Sequence, residues 1–468
     1  MNTMQAAVCL HLRLCCRRIE ERYNASNAAK AFRQKGASVY LRSVERVGSL
    51  PVKSIADKHQ IEVLVRNQGP ISRVEIFRQT GLRRSTISML TRQLLSESRL
   101  IEVGLSNNPL GRKQILLKTN PRFGFVAGVE FDDEMLTAGV MNMDAELIHS
   151  FSEPTNLAQG QDGLLKQLQR AVRRVMKESD VPQGKFLGIG IADPGLVNTH
   201  QGVTASSSTI DFWVDVPVQA YFQDAFEIPT LVESKTRTRT LAERILGPSD
   251  RPSNMIYLDY GTGIGAGVIL DGQLIYGQNC GAGEIGHTHI QKTGPTCKCG
   301  SYGCLEALAG ANAVEHRVRA ALADGVASPA LEKMAPAEIT VWKIFEAASA
   351  GDKLCWNIVA EVAEDLGLAI ANLVNLLNPA LVVLDKRMSV AGDDFLAIIT
   401  QTIKRQALAY SASAATVRYA SLGADAGLRG VCLRVVDRYY AQAPSKADTP
   451  AQVKKSALRH KKQRSHKK

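Results

Sequence analysis

The chain has 468 residues, of which 45% are hydrophobic and 22% are charged, and its formal net charge is +12. This length predicts two or three domains, and the composition is typical of a soluble globular protein. No run of about 18 or more apolar residues occurs, which argues against a transmembrane helix. The interrupted apolar patch near the start is expected to be neither a signal peptide nor an anchor.

The positive charge is concentrated at the two ends. Residues 1–119 hold 21 Lys or Arg against 8 Asp or Glu, a net of +13, and residues 446–468 hold 9 against one, a net of +8. Residues 120–445 therefore carry a net of −9. This distribution favours a polyanion-binding end joined to a domain with another task. For the tail, simple solvation is an equally good interpretation.

Nine cysteines are present, and three of them form one tight cluster, Cys297, Cys299 and Cys304. An odd number with such a cluster is not typical of a secreted disulfide framework. It indicates a reducing cytoplasm and a metal site.

Residues 1–50 are basic and weakly patterned, and we expect an extension that is helical or disordered. A helical pattern then runs from Lys53 to a stop at Gly69. Ser72 and Glu75 form a capping box for a second helix, which Gly81 ends. A third helix follows, with an apolar side made of Ile87, Leu90, Leu94 and Leu95.

Two short helices joined by a glycine-containing turn are typical of a helix-turn-helix, whose second helix enters the major groove. Two strands around a polar turn come next and would form a wing. We therefore predict a winged helix-turn-helix domain over residues 51–119. The predicted contacts to double-stranded DNA are Arg83, Arg84, Ser85, Thr86, Ser88, Arg92, Arg112 and Lys113. The alternative is a small helical bundle with no DNA role.

From residue 120 to residue 440, apolar strand patterns alternate with helical ones. This interleaving predicts an α/β body, and its length predicts two lobes with a cleft between them. The last residues, 441–468, are predicted to be a basic disordered tail.

Four segments together, "GIADPGLV", "LDYGTGIGAGVILDGQLIYG", "GAGEIGHTHI" and "CKCGSYGCLE", give the body its resemblance to the ROK family (repressors, open reading frames, kinases). With a winged helix in front, it is similar to the repressor branch. The resemblance implies an actin-like, hexokinase-like ATPase fold of two α/β lobes with a sugar in the cleft.

The resemblance also implies zinc, with His287, Cys297, Cys299 and Cys304 as ligands. One imidazole and three thiolates fill a tetrahedral shell, so the zinc would be structural and not catalytic. His289 is a rival ligand that the family spacing disfavours.

The groups that hold and activate a nucleotide in ROK sugar kinases are replaced here. Asp132, Asp133 and Glu134 stand at the glycine-rich phosphate loop, and Lys235 stands at the catalytic aspartate. The stretch from Asp385 to Arg387 replaces a glycine pair, and only the loop from Gly261 to Gly265 is kept. Because a lysine is a poor general base, we predict a protein that is not an enzyme and has no catalytic residue.

The sugar-facing residues implied by the resemblance are Glu284, His287 and Glu306. Lys235 would pair with one of these glutamates or meet an acidic or phosphorylated sugar. We therefore predict a cytoplasmic, nucleoid-associated bacterial repressor of carbohydrate genes, acting as a homodimer or homotetramer. Its partners would be an operator and a sugar effector, and no membrane. The alternatives are a sugar kinase that also binds DNA and a constitutive DNA binder whose body only oligomerises.

Overall fold

The computed structural model describes residues 52–107, 113–248 and 251–441. The chain divides into two units, Met1–Gln60 and Ile61–Lys468, and most described residues belong to the second. The predicted extension at 1–50, Arg112 and the predicted tail beyond 441 lie outside the described residues. Within the described ranges, no helix has both the length and the apolar character needed to cross a bilayer.

Three helices and a small sheet precede the body. The helices are α1 (Val52–Gln68), α2 (Arg73–Thr80) and α3 (Arg84–Ser96). The strands are β1 (Ile71–Ser72), β2 (Leu100–Leu105) and β3 (Ile115–Thr119), in the antiparallel order β1-β3-β2. The periodic apolar positions form their shared core, which includes Ile61, Ile76, Ile87, Leu90, Leu94, Leu100 and Leu117.

The turn chemistry predicted around α2 is confirmed. The Ser72 hydroxyl accepts a hydrogen bond from the Glu75 backbone N–H, and the Ser72 backbone N–H donates to Glu75 Oε2 at 2.8 Å. At the other end Gly81 has φ 66°, a left-handed conformation that glycine adopts without steric cost. These two residues fix where α2 begins and ends, and therefore where α3 starts.

The first lobe is built on a five-stranded sheet in the order β10-β7-β4-β5-β6. Its strands are β4 (Phe125–Phe131), β5 (Met135–Asn142), β6 (Leu147–Pro154), β7 (Phe186–Asp193) and β10 (Thr230–Ser234). β4, β7 and β10 are parallel, and β5 and β6 extend the sheet as antiparallel hairpins. Also in this lobe are the hairpin of β8 (Leu196–Asn198) and β9 (Val203–Ser206), and the helices α4 (Gly160–Glu178) and α5 (Val218–Phe226).

The second lobe has its own five-stranded sheet, in the order β13-β12-β11-β14-β15. The strands are β11 (Met255–Tyr260), β12 (Ile264–Leu270), β13 (Gln273–Leu274), β14 (Leu381–Leu384) and β15 (Thr416–Tyr419). Its helices are α7 (Leu305–Ala309), α8 (Ala311–Ala323), α9 (Val341–Ser349), α10 (Lys353–Leu377), α11 (Asp393–Gln406) and α12 (Ala409–Ala414). The large apolar core of this lobe surrounds α10, whose buried face includes Val359, Val362, Leu366 and Ile370.

Two further helices join these layers. Helix α6 (Lys235–Leu246) starts directly after β10 and packs against β11 and β12 of the second lobe. The approach is so close that a Cβ at Gly267 would lie 1.7 Å from Thr240 Oγ1, so glycine is required there. Helix α13 (Ala426–Ala441) packs on α6 and on β4 and β7. The N-terminus of α6 is thereby held between the two sheets.

Candidate functional site

A cleft of about 280 Å³ lies between the two lobes. The turn after β4, the start of α6 and the loop between β11 and β12 all contribute to its walls. The segment of the 3₁₀ turn Ile285–His287 and the start of α7 complete it. The cleft therefore brings together the predicted sugar-facing residues and the three positions that depart from the kinase pattern.

Asp132 organises the turn between β4 and β5. Its Oδ1 accepts hydrogen bonds from the backbone N–H groups of Glu134 at 3.0 Å and Met135 at 2.9 Å. Its Oδ2 accepts a charge-assisted hydrogen bond from Lys235 Nζ at 3.3 Å. The carboxylate thus occupies backbone donors at the place where the family's phosphate loop would present them.

Lys235 does not pair with Glu284 or Glu306, one of the alternatives that the sequence left open. Its Nζ lies 3.3 Å from Asp132 Oδ2 and 4.0 Å from Asp259 Oδ2. Burial alone would raise the pKa of both carboxyl groups. The Lys235 ammonium group acts together with backbone N–H donors at Asp132 and with the Arg239 and Arg387 guanidinium groups at Asp259, and both pKa values therefore lie below their usual range. The partners are aspartates because Lys235 at the start of α6 faces the turn after β4 and the end of β11.

Arg239 lies one turn further along α6 and is buried. It binds carboxylates at the ends of three strands. Its Nε donates to Glu130 Oε1 at 2.7 Å, and its Nη1 donates to Asp259 Oδ1 and Asp385 Oδ2, both at 3.0 Å. The surrounding carboxylates hold the pKa of Arg239 well above its usual value, against the opposing effect of burial. The sequence-based prediction missed this centre. Its signal was the run "KTRTRT", which places cations on a buried helix.

The second lobe supplies the remaining polar contacts of this half of the cleft. Thr262 Oγ1 donates to Asp133 Oδ2 at 2.9 Å, which joins the kept glycine loop to the turn after β4. Arg387 Nη2 donates to the Tyr260 carbonyl at 2.8 Å, and its guanidinium stacks over Trp342 at 4.5 Å. We call the assembly of these residues the internal ion-pair network: Glu130, Asp132, Asp133, Lys235, Arg239, Asp259, Thr262, Asp385 and Arg387.

Glu284, His287 and Glu306 line the other half of the same cleft. Glu306 Oε2 accepts a hydrogen bond from the Ile264 backbone N–H at 3.2 Å, which fixes that carboxylate against the glycine loop. Glu284 faces the open cleft, and partial desolvation there raises its pKa, with the nearby Glu306 adding to the effect. Two carboxylates facing one space can accept hydrogen bonds from the hydroxyl groups of a polyol, and an imidazole ring nitrogen beside them can donate or accept one according to its protonation.

Asp193 is a further buried group that the sequence-based prediction missed. Its carboxylate accepts hydrogen bonds from the Gly195 backbone N–H, Thr204 Oγ1 and Trp213 Nε1, each at 2.8 Å. Complete burial nevertheless raises its pKa to about 6. Because Gly195 lines the cleft, Asp193 positions one wall of it. The sequence signal was an Asp-Pro-Gly turn at the end of a buried strand.

The structure brings His287, Cys297, Cys299 and Cys304 together, with their ligand atoms all within 4.8 Å of one another. Cys297 Sγ lies 3.6 Å from His287 Nδ1, and Cys299 Sγ lies 3.8 Å from Cys304 Sγ. A tetrahedral zinc ion with Zn–S bonds of about 2.3 Å separates two sulfurs by about 3.8 Å, so the spacing fits the ion. His289 lies outside the cluster, and its Nε2 is 2.7 Å from Ser301 Oγ.

The cluster and the sugar-facing residues share a short piece of chain. His287 belongs to both sets, and Cys304 is the N-cap of α7, two residues before Glu306. Isolated antiparallel β-bridges join His289 to Cys304 and Thr296 to Tyr302, and these backbone pairings hold the two sides of the loop together. An ion in this cluster would therefore hold the cleft wall that carries Glu306.

The residues predicted to face DNA lie at the start of α3 and along its outer side. Arg83 is the N-cap of α3, and it is exposed together with Arg84, Ser85, Ser88 and Arg92, while Thr86 is partly buried. Arg84 stacks on Phe77 at 5.0 Å. Lys113 is exposed just before β3. One face of α3 is therefore basic and polar, and the opposite face is buried.

Helix α13 also contacts the helices and strands that precede the body. Arg66 pairs with Asp437, and Arg99 Nη1 donates to both Glu62 Oε2 and Tyr439 Oη at 3.0 Å. At its other end α13 contacts the internal ion-pair network, since the Leu428 backbone N–H donates to Glu130 Oε2 at 3.0 Å. One helix therefore contacts both regions.

Three comparisons with known proteins agree with one another. A family model described as ROK family matches residues 126–437. The chain is 31% identical over 338 residues to a xylose repressor of Caldicellulosiruptor bescii, covering 72% of this chain and 84% of that protein. It is also 31% identical over 305 residues to a glucokinase of Halalkalibacterium halodurans, covering 65% and 92%. A crystal structure described as a ROK family transcriptional regulator, homologous to the Escherichia coli MLC protein, superposes with a TM-score of 0.71 at 25% identity, covering 83% and 96%.

Proposed function

This chain belongs to the ROK family, and on that premise we propose that it is a sugar-responsive, DNA-binding transcriptional repressor of carbohydrate genes. The predicted fold class, actin-like and hexokinase-like with two α/β lobes, is confirmed by the ROK structures that it resembles. The observation that carries the proposal is the divided cleft. One half carries the hydrogen-bonding groups Glu284, His287 and Glu306, while the other half is lined by charged residues of the internal ion-pair network that already pair with one another.

The DNA-binding element of the proposal is a winged helix-turn-helix formed by α2, α3 and the sheet that follows. Exposed Ser85 and Ser88 on α3 would contact base edges in the major groove, and Arg83, Arg84 and Arg92 would contact phosphates or guanines. Lys113 would act from the wing. A homodimer or homotetramer would place two such helices about one helical turn apart on a palindromic operator.

In the proposed function the protein does not catalyse phosphoryl transfer. Catalysis would need a base at the position of Lys235, where an ammonium group pairs with two aspartates instead. It would also need free backbone donors in the turn after β4, which Asp132 already satisfies. The family contains kinases such as the glucokinase relative, so the loss of activity is a matter for experiment.

The proposed metal is zinc, held by His287, Cys297, Cys299 and Cys304 in a structural role. The four ligands would complete a tetrahedral shell and leave no position for water or substrate. When bound, zinc would stabilise a loop rich in glycine and polar residues and so fix the wall that carries Glu306.

The signal would reach the DNA-binding element through α13. A sugar held by Glu284, His287 and Glu306 would favour one arrangement of the lobes, and α13 contacts the network at Glu130. The far end of α13 contacts Arg66 and Arg99. A ligand shifts such an equilibrium only as far as its affinities for the two arrangements differ.

The test is operator binding with and without sugar. Duplexes selected from random-sequence DNA by the full chain would be titrated in a gel-shift assay, alone and with single monosaccharides. We expect one sugar to lower operator affinity by about 5- to 150-fold, the usual range for coupled sites. If no sugar alters either affinity or thermal stability, the body only oligomerises. If sugar and ATP together release ADP steadily, the chain is a kinase.

A further inference from the structure

We propose that the effector is an uncharged, unphosphorylated sugar, and that the cleft excludes sugar phosphates. This inference rests on the proposed function, since it names the chemical class of the ligand for the same cleft. It answers a question that the sequence left open, namely whether Lys235 serves an acidic ligand.

The cleft carries more negative than positive charge. Three side chains that are always cationic or nearly so line it: Lys235, Arg237 and Arg387. Six carboxyl groups line it as well: Asp132, Asp133, Glu134, Asp259, Glu284 and Glu306. A doubly charged phosphate group would enter a space lined by twice as many carboxyl groups as cations, and like charges brought together out of bulk water repel strongly.

Each of the three cations already has protein partners. Lys235 pairs with Asp132 and Asp259, as described above. Arg237 Nε donates to Glu233 Oε1 at 2.7 Å, and its Nη1 donates to the Cys280 carbonyl at 2.7 Å, so this guanidinium group already has protein partners.

The third cation, Arg387, is likewise engaged. It donates to the Tyr260 carbonyl and lies 3.4 Å from Asp385 Oδ1. A phosphate that approached any of the three would compete with a carboxylate or carbonyl that is already bound to it, and a displaced group would itself lose its partner.

Asp132 occupies the backbone donors that a phosphate would need. Its Oδ1 takes the N–H groups of Glu134 and Met135, and its Oδ2 takes Lys235. The carboxylate therefore makes the contacts of a bound anion, with two backbone donors and one ammonium group. Glu134 adds a further acidic group at the same turn. Burial raises its pKa, and the nearby Asp132 raises it further.

The sugar-facing half is suited to hydroxyl donors. The carboxylate of Glu306 is fixed by the Ile264 N–H, and Glu284 and His287 line the same wall. Carboxylates accept hydrogen bonds from hydroxyl groups at little electrostatic cost, whereas an anionic substituent would need donors in their place. The chemistry on both halves of the cleft thus favours a neutral polyol.

Calorimetry with matched ligand pairs tests the inference on the full chain. The pairs are glucose with glucose 6-phosphate and N-acetylglucosamine with its 6-phosphate, and xylose is added as a further neutral sugar. We expect at least one neutral sugar to bind and, where it has a phosphorylated partner, that partner to bind at least about tenfold more weakly. A phosphate ester that binds as tightly as its parent sugar would overturn the inference and leave the sensor role intact. No binding by any member would overturn both.

A variant with fewer negative charges in the cleft distinguishes electrostatic exclusion of sugar phosphates from exclusion by the shape of the cleft. Asp133→Asn combined with Glu134→Gln keeps the size of both side chains and removes two negative charges. The ratio of phosphate-ester affinity to parent-sugar affinity should rise about fivefold or more. Asp224→Asn, an exposed carboxylate on α5 outside the cleft, is the matched control and should leave the ratio unchanged. An unchanged ratio in the double variant would overturn the charge argument.

Discussion

Lys235 Nζ lies 3.3 Å from Asp132 Oδ2, and this ion pair joins the start of α6 to the turn between β4 and β5. The resemblance to ROK kinases places these two residues at the catalytic base and at the phosphate loop. In this chain a cation and an anion have replaced both. The pair contributes to the stability of the ligand-free cleft, and it takes up the groups that a nucleotide would use.

Replacement of Lys235 by methionine should destabilise the body by about 3 kcal/mol, because Asp132 and Asp259 would keep their buried charges without this partner. Urea unfolding would measure the change. Lys298→Met is the matched control, because Lys298 pairs with Asp211 at 3.7 Å on the surface. Loss of that exposed pair should lower the free energy of unfolding by no more than about 0.5 kcal/mol. An equal loss of unfolding free energy in the two variants would show that the cleft pair stabilises the chain no more than a surface pair does.

Asp193 should give the body a distinct pH dependence. Its pKa in the folded chain is about 6, against an ordinary value of 3.8. Well below pH 3.8 the group is protonated whether the chain is folded or not, so its contribution to the free energy of unfolding is fully favourable there. As pH rises through 6, the folded chain keeps the proton longer than the unfolded chain, and stability is lost.

Unfolding of the wild-type chain and of Asp193→Asn at several pH values would isolate this effect, because the amide does not titrate. The stability of the wild type relative to the variant should fall by about 2 kcal/mol between pH 4 and pH 7. Other carboxyl groups with raised pKa values, such as Asp365, cancel in the comparison. A difference that does not vary with pH would contradict the assignment.

Cys297→Ser should release the metal. We expect metal analysis to find about one zinc ion per wild-type chain and close to none in the variant, with a lower melting temperature. Because Cys304 and Glu306 flank the start of α7, sugar binding should weaken as well. Cys355→Ser alters a buried cysteine outside the cluster and should keep the zinc. Full zinc content in Cys297→Ser would remove this residue from the ligand set.

Changing Arg83 and Arg84 together to alanine should weaken operator binding. If both contact phosphates, the slope of log affinity against log salt concentration should flatten by about 2. Lys166 and Arg170 are exposed on α4, and their double alanine variant removes the same charge from the body. A loss of operator affinity in that control equal to the loss in the arginine variant would mean that only net charge matters.

Features that depend on neighbours in the sequence were predictable. The capping box at Ser72, the stop at Gly81 and the spacing of three cysteines all act within a few turns of chain. The alternation of strands and helices likewise predicted an α/β body, and the length of that body predicted two lobes. These are local preferences that no distant residue overrides.

Pairings between distant segments were not predictable. Lys235 and Asp132 are 103 residues apart, and Glu130 contacts Leu428 across 298 residues. Which carboxylate a buried cation meets depends on how the two sheets and α6 pack, and the sequence left open either Glu284 or Glu306, or an acidic or phosphorylated sugar, as the partner of Lys235. The network around Arg239 was missed for the same reason, since its three acidic partners come from three different strand ends.

Calorimetric titration of the full chain with magnesium and a non-hydrolysable ATP analogue, with and without sugar, tests the central claim most directly. The internal ion-pair network predicts no binding up to about 1 mM nucleotide, while a neutral sugar still binds. Micromolar binding of the nucleotide in the cleft would contradict the claim, because it would show that the network yields its place to a phosphate chain.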